Sequence, residues 1–249
     1  MKTNRILLIL GVAVAAAWLP QAAFAQDGYM FRKPQVTFSM RLGTAQPAAH
    51  GDIFNFLTTE LELDREDFAA FTWGGDINFR VDPKADIVLS VTVAQSSKRA
   101  AFEDWVDSET NELIYNETDL RRIPVTLGLK FFPLSRGREI GRYAYIPTRF
   151  SPYVGVAGGV MFYSLEQEGD FVDDSTDPPV IFTDWLESDG AAPTVQALAG
   201  ADLWILPRVG INVEGRYGWA SANLNDAFSD FDKIDLRGFQ LTTGLSVRF

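Results

Sequence analysis

The chain contains no cysteine among its 249 residues. Disulfides, thiolate metal sites, thiol nucleophiles and an acylated N-terminal cysteine are therefore excluded. It has one histidine, His50, in the stretch "HGD" near Asp52. Acid–base or nucleophilic catalysis needs a positioned partner and a nucleophile, and the spacing around His50 supplies neither. Positive charge is scarce: 22 Lys and Arg stand against 33 Asp and Glu, a formal net charge of −11. That balance is the opposite of the basic footprint needed to displace counterions from nucleic acid. No glycine-rich phosphate loop followed by a lysine occurs. After the N-terminal segment there is no run of roughly 18 apolar residues, so the sequence offers no membrane-spanning helix.

The N-terminal segment "MKTNRILLILGVAVAAAWLPQAAFAQ" has a basic start at Lys2 and Arg5 and an apolar run from Ile6 to Leu19. Ala23-Phe24-Ala25 follows the A-x-A cleavage pattern. Residues 1–25 are read as a secretory signal and 26–249 as one exported domain that begins at Gln26. Composition agrees with a folded domain, since 47% of residues are hydrophobic and 13% aromatic, too many for disorder.

What is abundant is alternation. Counting back from the C-terminus, Phe249, Val247, Leu245, Leu241 and Phe239 recur at every second position, with Thr243 completing the set. Arg248, Ser246, Gly244, Thr242 and Gln240 fill the other face. This period of two extends over about 11 residues, the length that a tilted membrane-spanning strand requires. It recurs in "QVTFSMRLGT", "FTWGGDINFRV", "DIVLSVTVAQ", "RIPVTLGLKFF" and "VGINVEGRYGW". Two further segments, "SPYVGVAGGVMFYSL" and "TVQALAGADLWI", are rich in Gly and Ala, and their facing is less clear. Assigning Asp202 inward with Gln196 and Gly200 leaves Trp204 on the polar side without an explanation.

Eight strands result, and their polar faces carry full charges: Arg41, Asp76, Arg80, Lys130, Asp202, Glu214 and Arg216. Eight apolar faces with no helices to cover them need another apolar solvent. In a bilayer all backbone groups must be paired internally, which a sheet achieves by closing on itself. The expected fold is all-β, a transmembrane up-and-down antiparallel barrel with lipid outside and polar residues inside. Connection lengths alternate accordingly. The long ones are 45–68, 96–118, 166–192 and 220–235; the others are "DPKA", 133–150 and "LPR". Short periplasmic turns and long extracellular loops place both termini in the periplasm. Segment 133–150 exceeds this pattern and is the most basic connection, with Arg136, Arg138, Arg142 and Arg149.

With its signal sequence, eight amphipathic strands and terminal "LSVRF", the mature chain resembles the small outer-membrane barrels of the OmpA, OmpX and OmpW type. The resemblance implies that Phe249, with Val247, Leu245, Leu241 and Phe239, is a sorting signal read by the outer-membrane insertion machinery. It implies location in the outer membrane of a Gram-negative bacterium, with the bilayer and its lipopolysaccharide as partners. The OmpA pattern continues into a soluble peptidoglycan-binding domain, for which this chain has no residues left. Lipid-A deacylases of barrel type carry a His-x-Ser pair on a strand, whereas His50 sits in a loop.

An eight-stranded barrel leaves an interior only wide enough for side chains. The seven interior charges either line a solute path or pair with one another and fill the lumen. Pairing is the expectation, because an unpartnered buried charge costs several kcal/mol. The third long connection holds nine acids and no Lys or Arg; the first holds six, Asp52, Glu60, Glu62, Asp64, Glu66 and Asp67, beside Arg65. Such loops repel and solubilise, or they share weak sites for Ca²⁺, a hard cation that takes oxygen ligands. No EF-hand spacing is present. The expected function is structural or surface-interacting, without cofactor, enzymatic activity or nucleic-acid partner; an OmpW-like path for small apolar solutes and a lipid-modifying enzyme are its rivals. Replacing Phe249 by Asp is expected to block membrane insertion, measured as loss of heat-shifted gel mobility and of surface exposure.

Overall fold

A computed structural model describes residues 33–60, 64–106, 113–140, 144–173, 180–225, 228 and 233–249. The segment read as a signal lies outside them. Eight strands form one closed antiparallel sheet: β1 (Val36–Pro47), β2 (Ala70–Asp82), β3 (Ala85–Val106), β4 (Leu113–Phe131), β5 (Phe150–Asp173), β6 (Val180–Trp204), β7 (Val209–Trp219) and β8 (Gly238–Arg248). Each strand pairs with its neighbours in sequence, and β1 closes on β8 from Thr37↔Arg248 to Pro47↔Gly238. The last residue completes this seam: the Phe249 amide donates to the Val36 carbonyl at 2.8 Å, and the Phe249 carbonyl accepts from Gln35 at 2.7 Å. The barrel belongs to a unit made of Pro34–Gly137 and Pro147–Phe249. In a second, small unit Lys33 pairs with Glu139 at 3.7 Å.

The side-chain alternation follows the pleat. Met40, Leu42, Leu127, Val156 and Leu245 point outward and are more than half exposed. A belt of this kind on all eight strands would be an aggregation surface in water, and it matches the apolar band of a transmembrane barrel. No helix among the described residues is long and apolar enough to cross a membrane. The intervening positions Ser39, Thr72, Ser90, Thr126, Thr194, Asn212 and Ser246 turn inward and are buried. Trp204, which the alternation left unexplained, is also inward and buried. Its ring lies 3.8 Å beneath the Arg248 guanidinium, so the aromatic face replaces water for that cation.

The connections depart from expectation in three places. Segments 96–118 and 166–192 were expected to be loops, but most of both is strand. β3 and β4 pair in one register to Ala101↔Tyr115 and, after a register shift, at Val106↔Leu113, and β5 and β6 pair as far as Asp173↔Val180. These ribbons carry polar residues on both faces, so no apolar alternation marks them as strands. The first connection holds a nine-residue helix, α1 (Asp52–Glu60), where no helix was expected. Gly51, at φ +108°, lets the chain turn into it, and Ile53 and Phe54 bury against the barrel mouth. The basic connection sends Arg136 to the turn end of the barrel. There it binds both Asp86 carboxylate oxygens at 2.7 Å and stacks on Phe132 at 4.0 Å.

The β1–β8 seam depends on a close backbone approach. A Cβ on Gly43 would stand 2.0 Å from the Leu241 carbonyl oxygen, whereas one on Gly158 would meet nothing nearer than 3.8 Å. Gly43→Val is expected to lower the urea midpoint of the folded barrel in lipid vesicles substantially, and Gly158→Val to leave it within experimental error.

Candidate functional site

Half-way along the bore, five inward ionic side chains from four strands meet: Arg41 on β1, Asp76 on β2, Lys130 on β4, and Glu214 and Arg216 on β7. Each is at most 5% exposed. Glu214 is the hub. Its carboxylate accepts from Arg41, from Arg216 at 2.7 Å, from Lys130 at 3.0 Å and from the Tyr153 hydroxyl at 2.9 Å. Asp76 faces the same bases, with Arg41 at 2.7 Å, Lys130 at 3.5 Å and Arg216 at 3.8 Å. Arg216 also donates to Ser90 Oγ and Gln196 Oε1, each at 3.0 Å, and the Lys130 ammonium lies 4.5 Å over the Tyr153 ring. The shared carboxylates make this a single network, because each base lies within reach of both acids.

Two of the charges assigned to the lumen stand outside this network. Arg80 lies near the turn end, with its guanidinium 3.5 Å from the Pro83 carbonyl. Asp202 sits opposite Ser151 and Asn212 in register and makes none of the network's ion pairs. The sequence placed Gln196 inward but not as a partner of Arg216, and it did not pick out Tyr153, Arg122 or the pairing of Asp86 with Arg136. Asp86 and Ser90 share an inward parity that alternation exposes. Tyr153 lies in a Gly- and Ala-rich strand, and Arg136 lies in a connection; neither segment shows its facing by period.

Toward the loop end the lining changes character. Ile114, Leu120, Met161, Tyr163, Leu165 and Ala192 form one buried apolar cluster with Ile53 and Phe54 of α1, Phe68 and Leu236. The Phe54 and Phe68 rings meet edge to face at 5.3 Å. Beside this cluster an open pocket of ≈ 760 Å³ is lined by residues that include His50, Asp52, Trp219, Lys233, Asp235 and Arg237. Burial tends to raise the Asp235 carboxyl, but Arg237 hydrogen-bonds it at 2.8–3.0 Å and the net direction is downward. The His50 Nδ1 lies 2.5 Å from the Ala48 carbonyl oxygen. No group of three His, Asp or Glu side chains able to hold a metal occurs among the described residues.

The terminal aromatic and its alternating partners face outward: Phe239, Leu241, Leu245 and Phe249 are exposed, and Val247 is partly covered. No family model matches the chain, and no curated protein matches it. Among solved structures it is similar to the outer-membrane protein OprG from Pseudomonas aeruginosa, at 13% identity and TM-score 0.48, over 90% of this chain and 99% of that one. Neisserial surface protein A is similar at 12% identity and TM-score 0.44, over 86% and 96%. Ail, the attachment invasion locus protein of Yersinia pestis, is similar at 14% and 0.41, over 86% and 99%.

Because Glu214 is 1% exposed and holds three bases, Glu214→Gln is expected to destabilise the barrel by about 3–5 kcal/mol. Urea unfolding in lipid vesicles measures this, with Glu117→Gln on the exposed ribbon as a control expected to stay within about 0.5 kcal/mol.

Proposed function

We propose that the chain is a non-enzymatic outer-membrane barrel whose lumen is closed, with both termini in the periplasm and a structural or surface-interaction role. The observation that carries this reading is the Arg41–Asp76–Lys130–Glu214–Arg216 network. Side chains from opposite walls meet in the middle of the bore, so a solute would have to break several buried ion pairs to pass. A second layer, Arg136 with Asp86 and Phe132, supports closure at the turn end. A non-enzymatic reading is favoured because the hydrogen-bond partner of His50 at the rim is the Ala48 backbone carbonyl rather than a side chain.

The parts available to a partner are then those beyond the membrane. The ribbons of β3–β4 and β5–β6 stand past the apolar belt with paired backbones, which makes them stiffer than loops and suits them to presenting a surface. Phe182 and Trp185 are exposed there, among acids. The sorting role of Phe249 and its alternating partners belongs to the same proposal. Its outward ring is accessible for recognition, while its backbone serves the seam.

The apolar cluster at the loop end favours one alternative, a narrow path for small apolar solutes. The two readings differ in conductance and flux. Purified protein in a planar bilayer is expected to show no steady porin-sized current, and liposomes containing it to retain entrapped small solutes as protein-free liposomes do. Large stable currents or rapid solute release would replace the closed barrel with the transport reading.

A further inference from the structure

Arg122 projects inward from β4 and is 5% exposed. In the closed ring β4 lies diametrically opposite β8, yet the Arg122 Nη1 stands 3.1 Å from where a Cβ on Gly238, the first residue of β8, would be. The side chain therefore crosses the whole bore. It is given room by Ala45, Ala70 and Ala94 on the three strands preceding β4, which form a cluster of small residues; Ala94 is the register partner of Arg122. Among the described residues Arg122 makes no hydrogen bond and no ion pair. The carboxylate whose field acts on it is Asp235, which is already held in a two-point pair by Arg237. Every base of the central network has carboxylates in reach, and this guanidinium has five donors and no acceptor of its own. A buried cation left so is unfavourable unless something anionic meets it.

The side that faces the loops is apolar. Leu120, two residues from Arg122 on the same face, begins the cluster that includes Ile114, Met161, Tyr163 and Leu165. Tyr163 does not offer its hydroxyl to a ligand, since it donates to the Asn223 carbonyl at 2.6 Å. Higher on the same face of β4, Asn116 is 1% exposed and both its side-chain polar atoms lack a partner. Ile53 and Phe54, on the short helix α1, fill the same apolar space from above. This chamber thus has one cationic end and an apolar wall, and Ile53 and Phe54 close it at the loop end.

We propose that this chamber is a binding site for an amphiphile with a single anionic head and an apolar tail. The head, a carboxylate or a phosphomonoester, pairs with Arg122. The tail packs on Ile114, Leu120, Met161 and Leu165, in space that Ile53 and Phe54 occupy in this structure. Among the described residues no second base belongs to this apolar cluster, which suits a head of low charge, and the planar fork of the guanidinium fits two oxygens at once. The proposal rests on the closed-lumen reading in one respect: with the central network intact the site is blind, and serves capture rather than passage.

The test uses full-length protein in phosphatidylcholine nanodiscs, with a naturally fluorescent polyene carboxylate as probe and decanoate, decyl phosphate and decanol as competitors. The expected result is displacement by decanoate or decyl phosphate at concentrations about ten- to a hundredfold below that for decanol, the range of a desolvated charged hydrogen bond. The better of the two anions identifies the head group. Arg122→Met is expected to abolish the preference for acid over alcohol, Arg122→Lys to retain part of it, and Phe54→Ala to tighten binding of all three by enlarging the space. Heat-shifted gel mobility certifies that each variant is folded. Equal competition by acid and alcohol, a preference that survives in Arg122→Met, or no specific displacement overturns the proposal. Planar-bilayer recordings on the same preparation separate the two readings: an acid preference with large steady currents retains Arg122 as the anchor and overturns the blind site.

Discussion

Every backbone amide and carbonyl that lies in hydrocarbon must find its partner within the protein, and the structure depends on this constraint. With no membrane-spanning helix among the described residues, closure of the sheet is the available solution, and it happens where β1 meets β8. The seam shows how strictly the requirement is met. Gly43 and Gly244 let the backbones approach, and the terminal residue extends the pairing one step past β8 through Gln35 and Val36. The bulky end of the chain is therefore a structural element, with its ring in the apolar belt and its peptide in the ladder.

Closure with eight strands then dictates the interior. Inward side chains fill the middle of the bore, so polar residues that face away from lipid end up facing one another. The layers follow from the need to satisfy each group. Arg136 and Asp86 lie at the turn end with Phe132, the five-membered network around Glu214 lies midway, Arg122 crosses above it, and an apolar cluster under α1 fills the mouth. Midway the burden of solvation falls on two carboxylates serving three bases, which is why Glu214 accepts four donors. Arg122 lies outside this economy, and the apolar neighbourhood it faces makes it chemically distinct from the charges below.

Beyond the belt the same pairing rule loosens, because water can solvate unpaired backbone. The chain nevertheless continues β3–β4 and β5–β6 as paired ribbons. Their acids keep them soluble and apart, and their exposed Phe182 and Trp185 give them contact area.

The eight strands, their facing in most cases and the antiparallel meander were legible in the residues themselves, because lipid and lumen impose opposite chemistries at alternate positions. The Gly- and Ala-rich strands were less legible, since small residues carry little polarity to alternate; the placement of Tyr153, Leu198 and Trp204 came from the register. The ribbons were missed because water on both faces removes the alternation. α1 was missed because its packing against the mouth, rather than its sequence, makes so short a helix stable. Sequence alone thus determined most of the inward charges, though not Asp86 or Arg122, and the need for a closed sheet, both consequences of local periodicity. Tertiary structure alone decided which charges meet. Arg41, Asp76, Lys130, Glu214 and Arg216 meet in the bore, while Arg80, Asp202 and Arg122 make none of these ion pairs, because the stagger between strands sets the height of each side chain and no local pattern records it.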